Sequence, residues 1–142
     1  MGRNYKKYIV YQKGYQLAID LYKITDKFPA HEQRNLIEQI RRAAVSIPVN
    51  IAEGSAKKYP KEFIYHLNVS YGSAKEIAVL IDLANDIGYI QEDIYKKISD
   101  QIDKFNSKMF LFIRHIEKEH VGKTGFFQKN RRRIELESGI KQ

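Results

Sequence analysis

The stretch Gln39-Ile40-Arg41-Arg42-Ala43-Ala44-Val45-Ser46-Ile47-Pro48-Val49-Asn50-Ile51-Ala52-Glu53-Gly54 decides how the rest of the chain is read. Ile40, Ala44, Ile47 and Ile51 recur at steps of four, three and four, which places them on one face of an α-helix. Ala43, Ala44 and Ala52 leave room for a neighbouring helix to come close. Pro48 sits inside the stripe, where a missing backbone donor predicts a kink. Asn50 is placed to serve the carbonyl that Pro48 leaves without a donor, and Gly54 suits a C-cap. Leu36 and Ile37 carry the stripe backwards, so the helix is expected from about His31 to Gly54.

Three patterns of the same period surround it. Val10, Gly14, Leu17, Leu21 and Ile24 predict a helix from Tyr8 to Asp26, ended by Phe28-Pro29. Phe63, Leu67, Ser70/Tyr71, Ala74, Ile77, Ile81 and Ala84 predict one that starts at Tyr59-Pro60 and is closed by Gly88. Ile94, Ile98, Ile102, Phe105, Met109, Phe112 and Ile116 predict the last, from Gln91 to His120. No segment alternates with a period of two over more than a few residues, and 3 prolines and 8 glycines are too few punctuators for an all-β chain. Short links between long helices force antiparallel neighbours. The expected fold is all-α: an antiparallel up-down-up-down four-helix bundle over residues 1–120, followed by a partly flexible basic C-terminal tail over 121–142, with Val121-Gly122-Lys123-Thr124-Gly125 breaking the last helix.

Antiparallel pairing of the second and third helices brings Arg41 or Arg42 within about a turn of Glu76. The expectation is a buried or half-buried ion pair that fixes register. Arg41, Arg42, Pro48, Asn50, Glu53, Gly54 and Glu76 are therefore read as structural residues.

The chain has no cysteine, which excludes disulfides, thiolate metal sites and a cysteine nucleophile. Its longest apolar run, Met109-Phe110-Leu111-Phe112-Ile113, is far short of a membrane span. The positive N-terminus is followed by no apolar region of a secretory signal, so a cytoplasmic protein is expected, without a membrane partner. Lys and Arg number 25 against 17 acids, a net charge of +8, which favours a polyanionic partner. In the expected topology these charges segregate. The chain start, the turn between the second and third helices, the end of the last helix and the tail gather at one end, which collects 14 of the basic residues against six acids. Arg3, Lys6, Lys7, Lys57, Lys58, Lys61, Lys118, Lys123, Arg131, Arg132 and Arg133 are the candidate nucleic-acid contacts. Tyr5, Tyr8, Tyr59 and Tyr65 at the same end offer faces for base stacking.

The run Gln39 to Gly54, followed by Phe63, Leu67, Gly72-Ser73, Glu76 and Gly88-Tyr89, resembles the four-helix-bundle family encoded in intervening sequences of bacterial 23S ribosomal RNA genes. That family is similar to the accessory variability determinant proteins of diversity-generating retroelements. The resemblance covers residues 9–118 and implies a small bacterial, non-enzymatic, oligomeric protein that binds nucleic acid, RNA more than DNA. It also implies a homopentamer as the favoured assembly and a protein partner such as a reverse transcriptase. Phe110, Leu111 and Ile113 beside the core stripe of the last helix, and Tyr11, Tyr15 and Tyr22 on the first, give apolar faces wider than one core needs, in keeping with self-association.

Enzymatic readings rest on little. Glu117-x-x-His120 is one half of a di-metal bundle motif that needs two such halves and two more carboxylates, so neither metal nor other cofactor is expected. Arg114-x5-His120 resembles the permissive motif of the helical HEPN ribonucleases, in which a histidine and an arginine act on the 2′-hydroxyl and phosphate. No phosphate-binding glycine loop or nucleophile elbow occurs.

Overall fold

A computed structural model describes residues 3–123 of the 142. Among them the regular structure is helical, with no strand: α1 (Ile9–Thr25), α2 (Leu36–Ser55), α3 (Pro60–Ile87) and α4 (Glu92–Lys123), with single 3-10 turns at Tyr5–Lys7 and Ala30–Glu32.

Local chemistry explains most of the boundaries. Pro60 occupies the first turn of α3 after an extended Tyr59. Gly88 ends α3 at φ +97°, a left-handed cap that side-chain-bearing residues rarely adopt. The start of α2 differs from the expected His31. Ala30–Glu32 forms a separate turn after the extended Pro29, and α2 begins at Leu36. The buried Glu32 carboxylate accepts from the Leu36 amide at 3.3 Å and from the Tyr89 hydroxyl at 3.2 Å. It satisfies an amide that would otherwise be orphaned at the helix N-terminus. Of the expected break at Val121-Gly122-Lys123-Thr124-Gly125, the first three residues are helical, since α4 runs through to Lys123, and Thr124-Gly125 lie outside the described residues. One helical glycine costs about 1 kcal/mol relative to alanine, too little to stop a long helix. The rest of the tail expected over 121–142, from residue 124 onward and with Arg131, Arg132 and Arg133, lies outside the described residues.

The four stripes meet in one core. Leu17, Leu21, Ile40, Ile47, Ile51, Phe63, Leu67, Ile77, Ile81, Ile102, Phe105 and Met109 are its largest fully buried side chains. On α1 the buried position is Thr25, its hydroxyl donating to the Leu21 carbonyl at 2.8 Å, while Ile24 is half-buried. On α4, Ile113 belongs to the core, Phe112 is half-buried, and Phe110 and Leu111 are exposed. Each helix packs on the next and α1 closes against α4. Contacts run in opposite senses along each pair. Arg41 meets Tyr22 and Asp26 while Gly14 meets Ile47 and Ile51. Arg42 meets Glu76 while Gly54 meets Phe63 and His66. Neighbouring helices are therefore antiparallel.

Candidate nucleic-acid interface

The two sequence-distant parts of the basic end are joined by Arg3. Its Nη1 donates to the Ser55 carbonyl at 3.3 Å and to the Lys57 carbonyl at 2.9 Å, which satisfies orphaned acceptors at the α2 C-terminus. Its guanidinium lies 4.8 Å over the Phe63 ring. Beneath it, Tyr8 packs on Phe112 at 4.9 Å and on Phe63 at 6.2 Å, and Phe63 meets Phe112 at 6.0 Å. Burial raises the Tyr8 hydroxyl pKa; Arg3 offsets part of that, and Glu119 adds to it. The chain start, the α2–α3 turn and the last turns of α4 thus share one end of the bundle.

Lys6, Lys7, Lys57, Lys58, Lys61 and Lys118 are all exposed there. Arg3 is half-buried and already engaged by two carbonyls and a ring. Lys123 closes α4, and nothing is described of its side chain. The tyrosines divide. Tyr5 is packed edge-on against Tyr11 at 4.9 Å and Tyr8 lies in the aromatic cluster. Tyr59 is 58% exposed with Lys58 Nζ 5.5 Å from its ring, and Tyr65 is 65% exposed beside His66. Free ring faces for stacking are thus found on Tyr59 and Tyr65.

The residues read as structural form a polar seam between α2 and α3, with two exceptions, Pro48, which lines a groove between α1 and α2, and Arg41. Ser46 and Ser73 share a hydrogen bond of 2.9 Å, Asn50 Oδ1 accepts from His66 Nδ1 at 3.0 Å, and Glu53 lies 3.9 Å from the same nitrogen. Ser70 donates to the Ile47 carbonyl at 3.0 Å. Sequence reasoning missed His66, Ser70 and Ser73 as partners; their spacing along α3 opposite Ser46, Ile47 and Asn50 was the available signal. Asn50 does not serve the carbonyl freed by Pro48. Its Nδ2 reaches one turn back to the Ser46 carbonyl and hydroxyl, at 2.9 and 3.0 Å, because a side chain at 50 overlies position 46 and not 44. The helix continues across the buried Pro48. Gly54 is not a C-cap; α2 ends at Ser55 and is capped at Ala56. A Cβ on Gly54 would lie 2.6 Å from His66 Cβ and 3.0 Å from Phe63 Cδ1, so the glycine permits the close α2–α3 approach.

The expected arginine–Glu76 pair forms through Arg42, and what is corrected is its burial. Arg42 meets Glu76 at 3.4 Å, but the side chains are 72% and 44% exposed, a surface pair. Arg41 leaves the seam: it turns to α1, bonding Asp26 at 2.8 Å and Thr25 Oγ1 at 3.0 Å and lying 4.7 Å over the Tyr22 ring. Residues one apart point about 100° apart around a helix, so they serve different neighbours. On α4, Arg114 lies 5.8 Å over Phe110 and His115 pairs with Glu119 at 3.2 Å. Arg114 and His120, six positions apart, project about 120° apart around α4. Among the described residues no three His, Asp or Glu side chains converge as metal ligands would, and no helix is long and apolar enough to cross a membrane.

Residues 6–110 match the family described as 23S rRNA-intervening sequence protein. The chain belongs to that family. The fold is also shared with a solved structure, a protein of unknown function from the S23 ribosomal protein family of Bacteroides thetaiotaomicron VPI-5482. It is 25% identical with a TM-score of 0.66, and the match covers 75% of this chain and 96% of that one. No curated protein matches. The family match takes in Lys6, Lys7, the α2–α3 turn with Lys57 and Lys58, Lys61 in the first turn of α3, and the whole polar seam.

Proposed function

We propose that this member of the 23S rRNA-intervening sequence protein family is a non-enzymatic, oligomeric accessory protein of the bacterial cytoplasm that binds nucleic acid, RNA in preference to DNA, through the basic end. The observation that carries the reading is the Arg3 bridge, which ties the chain start that carries Lys6 and Lys7 to the α2–α3 connection that carries Lys57 and Lys58, next to Lys61, and leaves all five lysines exposed. Exposed lysines neutralise phosphates and release counterions, and exposed Tyr59 and Tyr65 stack on bases of any identity. Such a surface binds with little sequence preference. Repetition of the end around a ring, with a pentamer favoured by family resemblance, multiplies weak contacts by avidity.

Binding of a labelled RNA measured across about 50 to 200 mM salt tests this; affinity is expected to fall by orders of magnitude. Replacing Lys57, Lys58 and Lys61 together by glutamate is expected to weaken every sequence about equally. Affinity that is flat with salt, or absent at low salt, overturns the reading. The exposed Phe110 and Leu111 (50% and 62%) favour a second reading, a scaffold for a partner protein; partner capture that survives high salt while RNA binding is absent selects it. RNA cleavage lost in His120→Ala identifies a ribonuclease instead.

A further inference from the structure

Beyond the Gln101–Asp20 hydrogen bond, α1 and α4 part around a groove of about 620 Å³ that runs towards the Gly88 turn. Its floor is aliphatic. Ile90 and Ile98 are buried members of the core, and the half-buried Ile24 and Ile94 reach the groove from α1 and α4. A trough of this volume suits a small organic molecule with an apolar body.

Three lysines stand along it, Lys23 and Lys27 on α1 and Lys97 on α4, against one acid, Asp20. Asp20 is already held by two amides: Gln16 Nε2 and Gln101 Nε2 donate to its two carboxylate oxygens at 3.0 Å each. The helices are antiparallel, so counting outward from the Gln101–Asp20 bond sets Lys23 level with Ile98, Ile24 level with Lys97, and Lys27 level with Ile94. Positive charge therefore lines both lips. All three lysines are exposed, and among the described residues none of them enters an ion pair or a hydrogen bond. Acids stand within one turn along the same helices: Asp20 and Asp26 are each three positions from Lys23, and Asp93 is four from Lys97. Yet Asp26 is taken by Arg41, while on α4 Lys96 pairs with Glu92 and Lys104 with Asp100. Like charges facing one another over an apolar trough repel, and an anion placed between them relieves the repulsion. Lysine stems lie along apolar surface while their ammonium groups stay in water, so the same side chains offer contact to a hydrocarbon chain and charge to its head group.

We infer that the α1–α4 groove binds a free single-chain anionic amphiphile, a fatty-acid-like carboxylate, with its chain laid on the four isoleucines and its head group between Lys23 and Lys97. A small anion has no use for the aliphatic floor, and a neutral apolar molecule has none for the lysines; one molecule that carries both fits both. The groove lies at the opposite end of the bundle from Lys57, Lys58 and Lys61, so the inference goes beyond the nucleic-acid reading and does not rest on it.

The test is calorimetric titration of the full chain with dodecanoate, kept below its micelle-forming concentration. A single saturable site per chain is expected, with dodecanol and dodecyltrimethylammonium binding at least about tenfold more weakly and acetate not at all. Dodecanoate is also expected to raise the melting temperature. Replacing Lys23 and Lys97 together by glutamine is expected to lower the affinity about tenfold or more, with helicity and melting temperature of the ligand-free chain unchanged. Ile94→Phe, which fills the trough from its own wall, is expected to lower it as well, whereas replacing Lys57, Lys58 and Lys61 by glutamate leaves it as it was. No saturable binding, equal binding of all three head groups, or an affinity that either groove variant leaves unchanged overturns the inference. Two further outcomes overturn it by giving the lysines another occupant. One is sedimentation with phosphatidylglycerol vesicles that depends on Lys23 and Lys97 while free dodecanoate does not bind, which assigns them to a membrane surface. The other is loss of labelled-RNA binding in the same double variant, again without dodecanoate binding, which assigns them to nucleic acid.

Discussion

The α2–α3 and α1–α4 contacts are both antiparallel, yet they are built on opposite plans. Between α2 and α3 the facing residues are small: Gly54, Ser46, Ser70 and Ser73 let the backbones close until Ser70 reaches the carbonyl of Ile47. Between α1 and α4 the contact is narrower. Gly14 accommodates Phe105, Gln101 reaches Asp20 at 3.0 Å, and beyond them the helices part around a groove of about 620 Å³ walled by Ile24, Ile94 and Ile98 with Lys23, Lys27 and Lys97 at its rim. Small residues bring backbones into hydrogen-bonding reach and commit the seam to one register. Large ones fill space but tolerate imperfect closure.

Four substitutions test that contrast, from the largest effect to the smallest. Gly54→Val drives two methyl groups into His66 Cβ and Phe63, which sit close to their own backbone; a loss of about 3 kcal/mol or more is expected in denaturant unfolding. Asn50→Ala strips His66 and Ser46 of their shared partner, and about 1–2 kcal/mol is expected from the same measurement. On the other seam, Ile94→Phe extends a half-buried side chain into the groove, with a change within about 1 kcal/mol of either sign expected in thermal melts. A loss as large as that of Gly54→Val would show the α1–α4 contact to be equally committed. Smallest of all, the Arg42→Ala and Glu76→Ala double-mutant cycle is expected to give a coupling of about 0–0.5 kcal/mol, as befits an exposed pair.

The sequence was most legible where periodicity carried the message. Val10, Leu17, Leu21, Ile40, Ile47, Phe63 and Ile102 fall where the stripes put them, and Pro60 and Gly88 mark the ends of α3 as their local chemistry demands. It was less legible where one residue type has two uses. A glycine near a helix end reads as a cap, and Gly54 proved to be a close-packing residue because the side chain it makes room for, His66, lies across a turn. Arg41 and Arg42 are chemically equal in sequence, and only the placement of α1 gives the first to Asp26. At the candidate site the lysines of the turn were readable from topology. That Tyr5 and Tyr8 are packing residues while Tyr59 and Tyr65 stand free depended on the path taken by the first eight residues, which no periodic signal encodes.

The Arg3 bridge also has a kinetic meaning. It joins residues 52 positions apart in the chain, so it can close only after α2 has formed and the chain has turned back into α3, and the loop entropy it must overcome is offset by two hydrogen bonds and one ring contact. The lysine-rich end is thus held by a contact that needs distant parts of the chain already in place and sits beside a chain terminus, where local opening is easiest.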